Sequence, residues 1–394
     1  ALKSTPSLLE AVQQVVPQLK GAYALGIVHT DHPDELITVR EGSPLVIGVG
    51  IGENFISSDQ LALLPITNRF IYLEEGDIAR LTRNSIEVFV AGQRVERPIK
   101  ELDAAVSNAS KGEYKHYMLK EIYEQPEAIQ QTISQALNGN ALREDFLKDA
   151  ELDFAKIQQV QIIACGTSYH AGMIAKYWFE QLIDLPCQVE IASEFRYRTP
   201  VIVNNTLYVC ISQSGETADT LAALRLAKEK DITTLAIVNV VGSSIAREAD
   251  KVFYTLAGPE ISVATTKAYS SQLVAMYCLA VQFARVRNTI TEEQYGNYIT
   301  ELLTIPDKIQ KILQDKERLQ WFAAKYANAH DVFFVGRGID YAISLEGSLK
   351  LKEISYIHAE AYAAGELKHG TIALITDQVP VIAIGTQKKV FAKT

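Results

Sequence analysis

After residue 150, short apolar runs alternate with longer segments in which apolar residues recur at helical spacing. The strand-like runs and the helical segments between them are, in chain order, 160–164, 166–182, 189–191, 206–211, 217–230, 234–238, 251–255 and 266–287. Regular alternation of this kind predicts an open parallel sheet with helices on both faces, an α/β fold. In such a sheet ligands bind outside the carboxyl ends of the strands.

The pattern restarts near residue 331. A strand-like run at 331–335 is followed by a glycine-containing loop at 336–338 and a helical segment at 341–356. This order resembles the first strand, loop and helix of the preceding segment. We therefore expect two tandem doubly wound units, at 151–290 and 322–394, of which the second is incomplete.

Residues 1–98 have a different pattern, with short β-prone runs at 21–28, 45–49 and 70–73 separated by turn residues. They predict a separate strand-rich α+β domain. Residues 99–150 read as a linker and connecting helices, in which Pro126 ends or kinks the first helix. Because the chain starts without a signal peptide or initiator methionine and stops soon after a core-like strand at 381–384, we expect a fragment of a longer protein.

Composition narrows the class of protein. Hydrophobic residues make up 48% and charged residues 22% of the 394 residues, as in ordinary globular proteins. The net charge of −9 argues against a nucleic-acid or anionic-membrane partner. The four cysteines form no C-x-x-C pair, which favours reduced thiols in the cytoplasm over disulfides or a metal site. No apolar run has the length of a transmembrane helix.

The strongest candidate for chemistry is the serine loop, residues 212–217 (Ser-Gln-Ser-Gly-Glu-Thr), which follows a buried strand and opens a helix. The first turn of a helix has unpaired N–H groups and a partial positive charge, so it stabilises an anion. The loop adds three hydroxyls and an amide, and Gly215 lets the backbone approach a ligand. The alternative is a plain helix cap, for which a single hydroxyl is enough. The surplus of donors favours a phosphate site.

Two further segments extend this site. The threonine turn, residues 165–168, occupies the same place after the preceding strand and offers Thr167 and Ser168 as donors. Residues 263–267 (Val-Ala-Thr-Thr-Lys) form a less specific third wall, in which Lys267 reads more as a solvated helix residue than as a ligand.

A dense group of titratable residues lies in the last third of the chain. Glu346, Lys350 and Glu353 fall on one helix face, and a glycine-bracketed loop with His369 follows. A solvated salt-bridge face is the plain alternative. The small and apolar neighbours of these residues, Ile354 among them, favour a shielded site in which a carboxylate, a lysine and a histidine move protons on a sugar carbonyl.

The segments 165–168, 190–198, 212–220 and 350–370 resemble the glutamine–fructose-6-phosphate aminotransferase (isomerising) family over nearly the whole chain. The resemblance implies the later part of an N-terminal-nucleophile glutaminase domain, followed by two sugar isomerase (SIS) domains. It implies a homodimer that makes glucosamine 6-phosphate and glutamate from fructose 6-phosphate and glutamine, with no metal or organic cofactor.

The resemblance also implies roles for individual residues. Glu353 is the implied base between sugar carbons 1 and 2, His369 the ring-opening residue donated by the partner subunit, and Lys350 and Glu346 their polar support. The implied phosphate and sugar contacts are Thr167, Ser168, Ser212, Gln213, Ser214, Thr217, Val263 and Thr265.

Some family features are not in this sequence. The cysteine nucleophile, the glutamine-binding motifs and the C-terminal lysine that forms an imine are absent, and Thr371 stands where a proline is usual. We therefore expect the full-length protein, but not this fragment, to be the aminotransferase. The alternatives are a glutamine-independent phosphosugar isomerase, which would have no need of residues 1–98, and a non-catalytic sugar-phosphate-binding module.

Overall fold

The computed structural model describes residues 1–2, 5–101, 111–143, 155–201 and 203–394. The chain divides into two compact units, Ala1–Ser110 and Lys111–Thr394. Within the described ranges, no helix is both long enough and apolar enough to span a bilayer. Parts of the predicted linker and connecting helices, residues 102–110 and 144–150, lie outside these ranges.

The first unit consists of a short helix and two antiparallel sheets. Its elements are α1 (Leu8–Val15), β1 (Tyr23–His29), β2 (His32–Glu41), β3 (Val46–Val49), β4 (Asn54–Ser57), β5 (Arg69–Tyr72), β6 (Ile78–Leu81), β7 (Ile86–Val90), β8 (Gln93–Val95) and β9 (Ile99–Glu101), with 3-10 turns at Val16–Gln18 and Gln60–Ala62. The sheet orders are β1-β2-β6-β7-β8 and β4-β3-β5-β9. Strand β9 follows the boundary predicted at residue 98 and pairs with β5, so these residues belong to the first unit.

The core of the first unit joins its two sheets. Apolar side chains of β3 and β5 pack with those of β6 and β7, and the one face of α1 that is buried covers β2. Asp77, which is fully buried, is satisfied by a bidentate pair with Arg97 at 2.9 Å for both nitrogen–oxygen contacts. Alternation of half-buried and exposed residues, as in β1, is typical of a sheet with one solvated face.

The second unit begins with helices and continues as an α/β protein. Its elements up to residue 254 are α2 (Tyr117–Tyr123), α3 (Gln125–Ala136), β10 (Leu137–Asn138), β11 (Ala141–Leu142), β12 (Gln159–Ala164), α4 (Gly166–Trp178) with a π-helical turn at Phe179–Ile183, β13 (Cys187–Ile191), α5 (Ala192–Phe195), β14 (Thr206–Ser212), α6 (Ala218–Lys228), β15 (Thr234–Val238), α7 (Ser244–Glu248) and β16 (Lys251–Tyr254). Pro126 lies in the first turn of α3, where its missing N–H costs nothing, so the expected break between two helices is confirmed.

Four helices then lead from the first sheet to the second. The remaining elements are α8 (Lys267–Val286), α9 (Glu292–Leu303), α10 (Ile305–Leu313), α11 (Lys316–Tyr326), β17 (Asp331–Gly336), α12 (Ile339–Ser355), β18 (His358–Ala363) and β19 (Val381–Ala383), with 3-10 turns at Thr371–Leu374 and Phe391–Lys393. Helix α9 begins with a capping box in which Thr291 and Gln294 exchange hydrogen bonds between side chain and backbone.

The first sheet is fully parallel in the order β13-β12-β14-β15-β16. All seven residues of β14 are buried, as expected for a strand covered on both faces. Helices α3, α4 and α8 enclose one side of the sheet in a large apolar core, and α5, α6 and α7 cover the other side. The prediction of a parallel α/β sheet is confirmed.

The second sheet is parallel in the order β18-β17-β19 among the described residues. Helix α12 packs closely on it at Gly347, where an added Cβ would lie 2.9 Å from the Phe334 ring. The strand predicted at 381–384 forms as β19, but the expectation that it is a core strand is wrong: Val381 and Ile382 are 42% and 43% exposed. Among the described residues, β19 is an edge strand that pairs with β17, and its residues are exposed whereas those of β17 are mostly buried.

The two α/β units contact each other through equivalent helices. Helix α4 follows the first strand of one parallel sheet, α12 follows the first strand of the other, and the two helices pack together. The tandem repeat expected from the sequence is therefore confirmed, because the strand and helix that open the first α/β unit recur at the start of the second.

Candidate functional site

The serine loop and the threonine turn are neighbours at the carboxyl edge of the first sheet. Strands β12 and β14 pair in parallel, with Ala164 opposite Ile211, so the segments that follow them leave the sheet side by side. The next strand in sequence, β13, lies on the other side of β12. The chain thus reverses direction across the sheet at this point, which creates the crevice where doubly wound folds bind ligands.

The hydroxyl groups of the serine loop make hydrogen bonds with the loop backbone and with each other. Ser212 Oγ accepts a hydrogen bond from the Gly215 amide at 3.0 Å and lies 2.9 Å from Thr217 Oγ1, and Ser214 Oγ accepts from the Glu216 amide at 3.2 Å. Ser212 is only 2% exposed, so it supports the loop from its buried side. Thr217 starts α6 without capping it by its side chain, which leaves the first amides of the helix available to an anion.

A carboxylate lies within the serine loop, the predicted phosphate site. Glu216 supplies the negative charge here, and its Oε1 accepts a hydrogen bond from the Ser244 amide at 2.8 Å, at the start of α7. The helix N-terminus offsets the charge of this carboxylate. The Glu216 carboxylate is therefore paired with the next helix, which makes it compatible with the predicted phosphate site.

Gly215 is the residue on which this loop geometry depends. Its φ is +66°, a left-handed conformation that favours glycine. A Cβ at this position would lie 2.0 Å from Ser243 Oγ and 2.5 Å from Ser243 Cβ. Close packing on Ser243 and backbone conformation both require glycine at the centre of the loop.

Replacing Gly215 with alanine is expected to lower both the stability of the protein and its affinity for a sugar phosphate. The left-handed conformation alone costs about 1–2 kcal/mol for a residue with a Cβ, and the contact with Ser243 adds to it. Gly242→Ala is the matched control, since Gly242 also has a positive φ, +75°, but has open space around its Cβ position. Thermal unfolding and calorimetric titration with fructose 6-phosphate should separate the two variants; equal affinities would contradict the role of the Ser243 contact.

The threonine turn is connected to the charged helix α12. Gly166 has a φ of +53° and places Thr167 in the first turn of α4. Thr167 Oγ1 donates a hydrogen bond to Glu346 Oε1 at 2.9 Å, across 179 sequence positions. Ser168 is 8% exposed. The structure thus brings a predicted sugar-phosphate contact and a predicted polar support residue into direct contact.

Glu346, Lys350 and Glu353 form a charged row with a gradient of exposure. Their side chains are 7%, 17% and 33% exposed, in that order. Lys350 Nζ lies 3.5 Å from Glu346 Oε1 and makes a closer ion pair with Glu353 Oε2. The expectation of a shielded helix face is wrong near its end, where Ile354 is 53% exposed, because α12 leaves the interface with α4 there. Glu353 is therefore the most accessible carboxylate of the row.

Sequence reasoning missed His170. This residue lies one helical turn after Thr167 on α4, and its Nδ1 is 2.7 Å from Glu346 Oε2. Its side chain is 14% exposed. The spacing of Thr167 and His170 on one helix face was the available signal, but the partner of that face could be found only from the folded chain.

Two carboxylates hold the segment at 258–266 by hydrogen bonds to backbone amides, one from α2 and one from the segment itself. Glu121, which is 2% exposed, accepts hydrogen bonds through Oε1 from the amides of Ile261 at 2.6 Å and Ser262 at 3.1 Å. Glu260 Oε1 accepts from the amides of Thr266 at 2.8 Å and Ala268 at 3.2 Å. Burial raises the pKa of Glu260, although these amide contacts oppose the rise.

The predicted contacts in this segment have contrasting surroundings. The side chain of Val263 does not pack against the protein, because the residue is 97% exposed. We therefore expect any contact between Val263 and a sugar to be made by its backbone. The expectation that Lys267 is solvated is wrong. Lys267 is 4% exposed and pairs with Glu124 Oε2 at 2.8 Å, because the first turn of α8 is covered by α2 and the start of α3.

His369 is not joined to the charged row within one copy of the chain. The structure records a backbone hydrogen bond from the His369 amide to the Glu366 carbonyl at 2.9 Å, and the residue is exposed. Across the described ranges its imidazole has no recorded hydrogen bond or ion pair with Glu353 or Lys350. The sequence prediction that these groups act together therefore requires either a rearrangement or a second copy.

The described residues contain no group of three or more histidine, cysteine or acidic side chains arranged to hold a metal ion. The cysteines are free thiols. Burial raises the pKa of Cys210 and of Cys278 to about 12, so neither thiol is a nucleophile at neutral pH.

Comparison with known proteins gives consistent matches. A family model described as SIS domain matches residues 153–282 and 325–393. A glutamine–fructose-6-phosphate aminotransferase (isomerizing) of Acinetobacter baylyi is 67% identical over 98% of this chain and 64% of that relative. A protein of the same name from Caldanaerobacter subterraneus is 47% identical over 98% of this chain and 64% of its own length. The chain thus spans less than two thirds of these curated relatives.

Solved structures agree with these matches. The C-terminal domain of glucosamine-fructose-6-phosphate aminotransferase from Francisella tularensis superposes with a TM-score of 0.71 at 46% identity, covering 73% of this chain and 81% of that one. Tagatose-6-phosphate ketose/aldose isomerase from Escherichia coli has a TM-score of 0.55 at 19% identity over 71% of this chain and 75% of its own, a likeness of fold alone.

Proposed function

We propose that this chain, which belongs to the SIS domain family and within it to the glutamine–fructose-6-phosphate aminotransferases, is the sugar-handling part of an enzyme that converts fructose 6-phosphate and glutamine to glucosamine 6-phosphate and glutamate. The observation that carries the proposal is the hydrogen bond from Thr167 to Glu346. It connects the hydroxyl-lined edge of one SIS unit to the charged helix of the other, as a site that both binds and isomerises a sugar phosphate requires.

In this proposal the phosphate binds in the serine loop. The amides at the start of α6 and the side chains of Ser212, Gln213, Ser214 and Thr217 surround the phosphate, and Thr167 and Ser168 contact the sugar side. The Val263 and Thr265 segment closes the third side, with the Val263 backbone as its contact. Hydroxyls and amides suit this task because they donate to every phosphate oxygen without competing charges.

The side chains of the charged row carry out the proton transfer between sugar carbons. Glu353 removes the proton from one sugar carbon and returns it to its neighbour, which moves the carbonyl between carbons 1 and 2. Lys350, held between Glu353 and Glu346, keeps the base oriented and supplies positive charge near the developing enediolate. His369 of the partner subunit opens the sugar ring, which accords with the exposure of this residue in a single copy.

The rest of the proposal concerns the complete protein. Ala1–Ser110 would be the later part of the glutaminase domain that releases ammonia from glutamine, and the functional form would be a cytoplasmic homodimer through the SIS units, without a metal or organic cofactor. No step of the reaction proposed here needs redox chemistry, because an amino group replaces a carbonyl oxygen and a proton moves between adjacent carbons.

The test is product formation by the complete protein. Fructose 6-phosphate and glutamine are supplied together, and glucosamine 6-phosphate and glutamate are measured by mass spectrometry. Equal amounts of both products support the proposal. Formation of glucose 6-phosphate at the same rate with and without glutamine, and of no amino sugar, would identify a plain phosphosugar isomerase. Binding without any turnover would identify a sugar-phosphate-binding module.

A further inference from the structure

We propose that His170 is a positioning residue for the proton transfer, acting through Glu346 to hold Lys350 beside the base Glu353. This inference rests on the proposed function of the charged row. No role for this histidine follows from the loop motifs, and its contact with α12 is visible only in the folded chain.

The argument begins with the two oxygens of Glu346, a residue that is 5% exposed. Oε1 is shared by Thr167 Oγ1 at 2.9 Å and Lys350 Nζ at 3.5 Å. Oε2 has one recorded partner in the described part of the chain, His170 Nδ1 at 2.7 Å. Removal of the imidazole would leave a buried, charged oxygen unsatisfied, which is far more costly than the loss of an exposed hydrogen bond.

The Glu346 carboxylate would then lack one hydrogen-bond donor, and Lys350 is the cation that lies beside it. Lys350 already lies within 4 Å of both Glu346 and Glu353, so a small rotation is enough to exchange its closer partner. A buried ion pair is stronger than one at the surface, because the local dielectric constant is lower. Without His170 the lysine is therefore drawn inward to Glu346, and Glu353 loses the group that orients it.

Among the described residues, His170 is the one recorded hydrogen-bond partner of Glu346 Oε2. Tyr169 on the same helix contacts the imidazole ring, with centroids 5.8 Å apart. From α8, Tyr269 interacts electrostatically with Glu346, but its hydroxyl is buried and makes no hydrogen bond within the described residues. Tyr269 is therefore a neighbour of the same carboxylate that does not hold it, which makes it a matched control.

The experiment uses the complete protein with His170→Ala, His170→Asn and Tyr269→Phe. We expect His170→Ala to lower kcat by about ten- to a hundredfold, as a small misplacement of catalytic groups does, and to change KM for fructose 6-phosphate by less than about threefold, since the phosphate contacts remain. His170→Asn retains a nitrogen donor near the position of Nδ1 and should recover most of kcat. Tyr269→Phe should leave kcat within about twofold.

Equal losses in the alanine and asparagine variants, or a fall in melting temperature without a fall in kcat, would overturn the positioning role. Crystal structures of wild type and His170→Ala give a readout that does not depend on turnover: the proposal requires Lys350 Nζ to move from Glu353 toward Glu346 in the variant, and an unmoved lysine contradicts it. If the complete wild-type protein forms no glucosamine 6-phosphate, the proposed function fails, and the position of Lys350 alone decides this inference.

Discussion

Glu353→Gln in the complete protein is expected to lower formation of glucosamine 6-phosphate by roughly 10²-fold or more while fructose 6-phosphate still binds. Aldose–ketose interconversion needs a base that can reach a carbon-bound proton, and an amide cannot accept it. Glu353 is suited to this task because it is the most accessible carboxylate on α12 and is held by Lys350. A surface ion pair would be worth at most about 1 kcal/mol and would not explain such a loss.

The measurement is turnover at saturating fructose 6-phosphate and glutamine, combined with calorimetric binding of the sugar. Glu317→Gln, on the solvent-exposed helix α11, is the matched control for loss of one negative charge and should behave as wild type. Turnover near the wild-type rate in Glu353→Gln would make Glu353 a structural residue. Parallel loss of binding and turnover would instead move Glu353 into the binding site and remove it from proton transfer.

The double variant Ser212→Ala/Ser214→Ala is expected to weaken fructose 6-phosphate binding by roughly a hundredfold or more. Hydrogen bonds to a charged group are each worth about 1.5–3 kcal/mol, and this variant removes two hydroxyls from the phosphate site. Part of the loss has a second cause, because Ser212 also accepts from the Gly215 amide and so maintains the shape of the loop.

The single variants separate these two causes. Ser214 is more accessible than Ser212, so Ser214→Ala should lower affinity with little change in stability, whereas Ser212→Ala should lower both. Ser134→Ala, on the exposed face of α3, is the control serine. Isothermal calorimetry and thermal unfolding of all four variants provide the readout, and wild-type affinity in the double variant would place the phosphate elsewhere.

The sequence predicted the parallel sheets well because a strand buried on both faces, such as β14, is a continuous apolar run bounded by loops. It also predicted which loops lie together, since the carboxyl ends of paired parallel strands meet at one edge. It failed where a side chain is satisfied by a distant element. Lys267 looks like a solvated residue until Glu124 is brought beside it, and His170 has no evident role until α12 packs on α4.

Exposure was the other quantity that local patterns could not supply. Ile354 follows a charged helical segment and Val381 lies in an apolar run, yet both apolar side chains are exposed in the fold. Burial depends on which elements cover a face, and the sequence neighbours of a residue do not determine that. The same limit applies to Val263, whose motif predicted a sugar contact while its side chain extends into solvent.

The hydrogen bond between Thr167 and Glu346 has a thermodynamic consequence. It joins two separately cored SIS units, so a sugar phosphate that contacts both of them binds only to the docked arrangement. By linkage, a ligand present at 100 times its Kd would add about 2.7 kcal/mol to the stability of that arrangement. The substrate would thereby stabilise the contact between the two units. If the units melt separately in the free protein, their two transitions would merge into one cooperative transition as the substrate concentration rises.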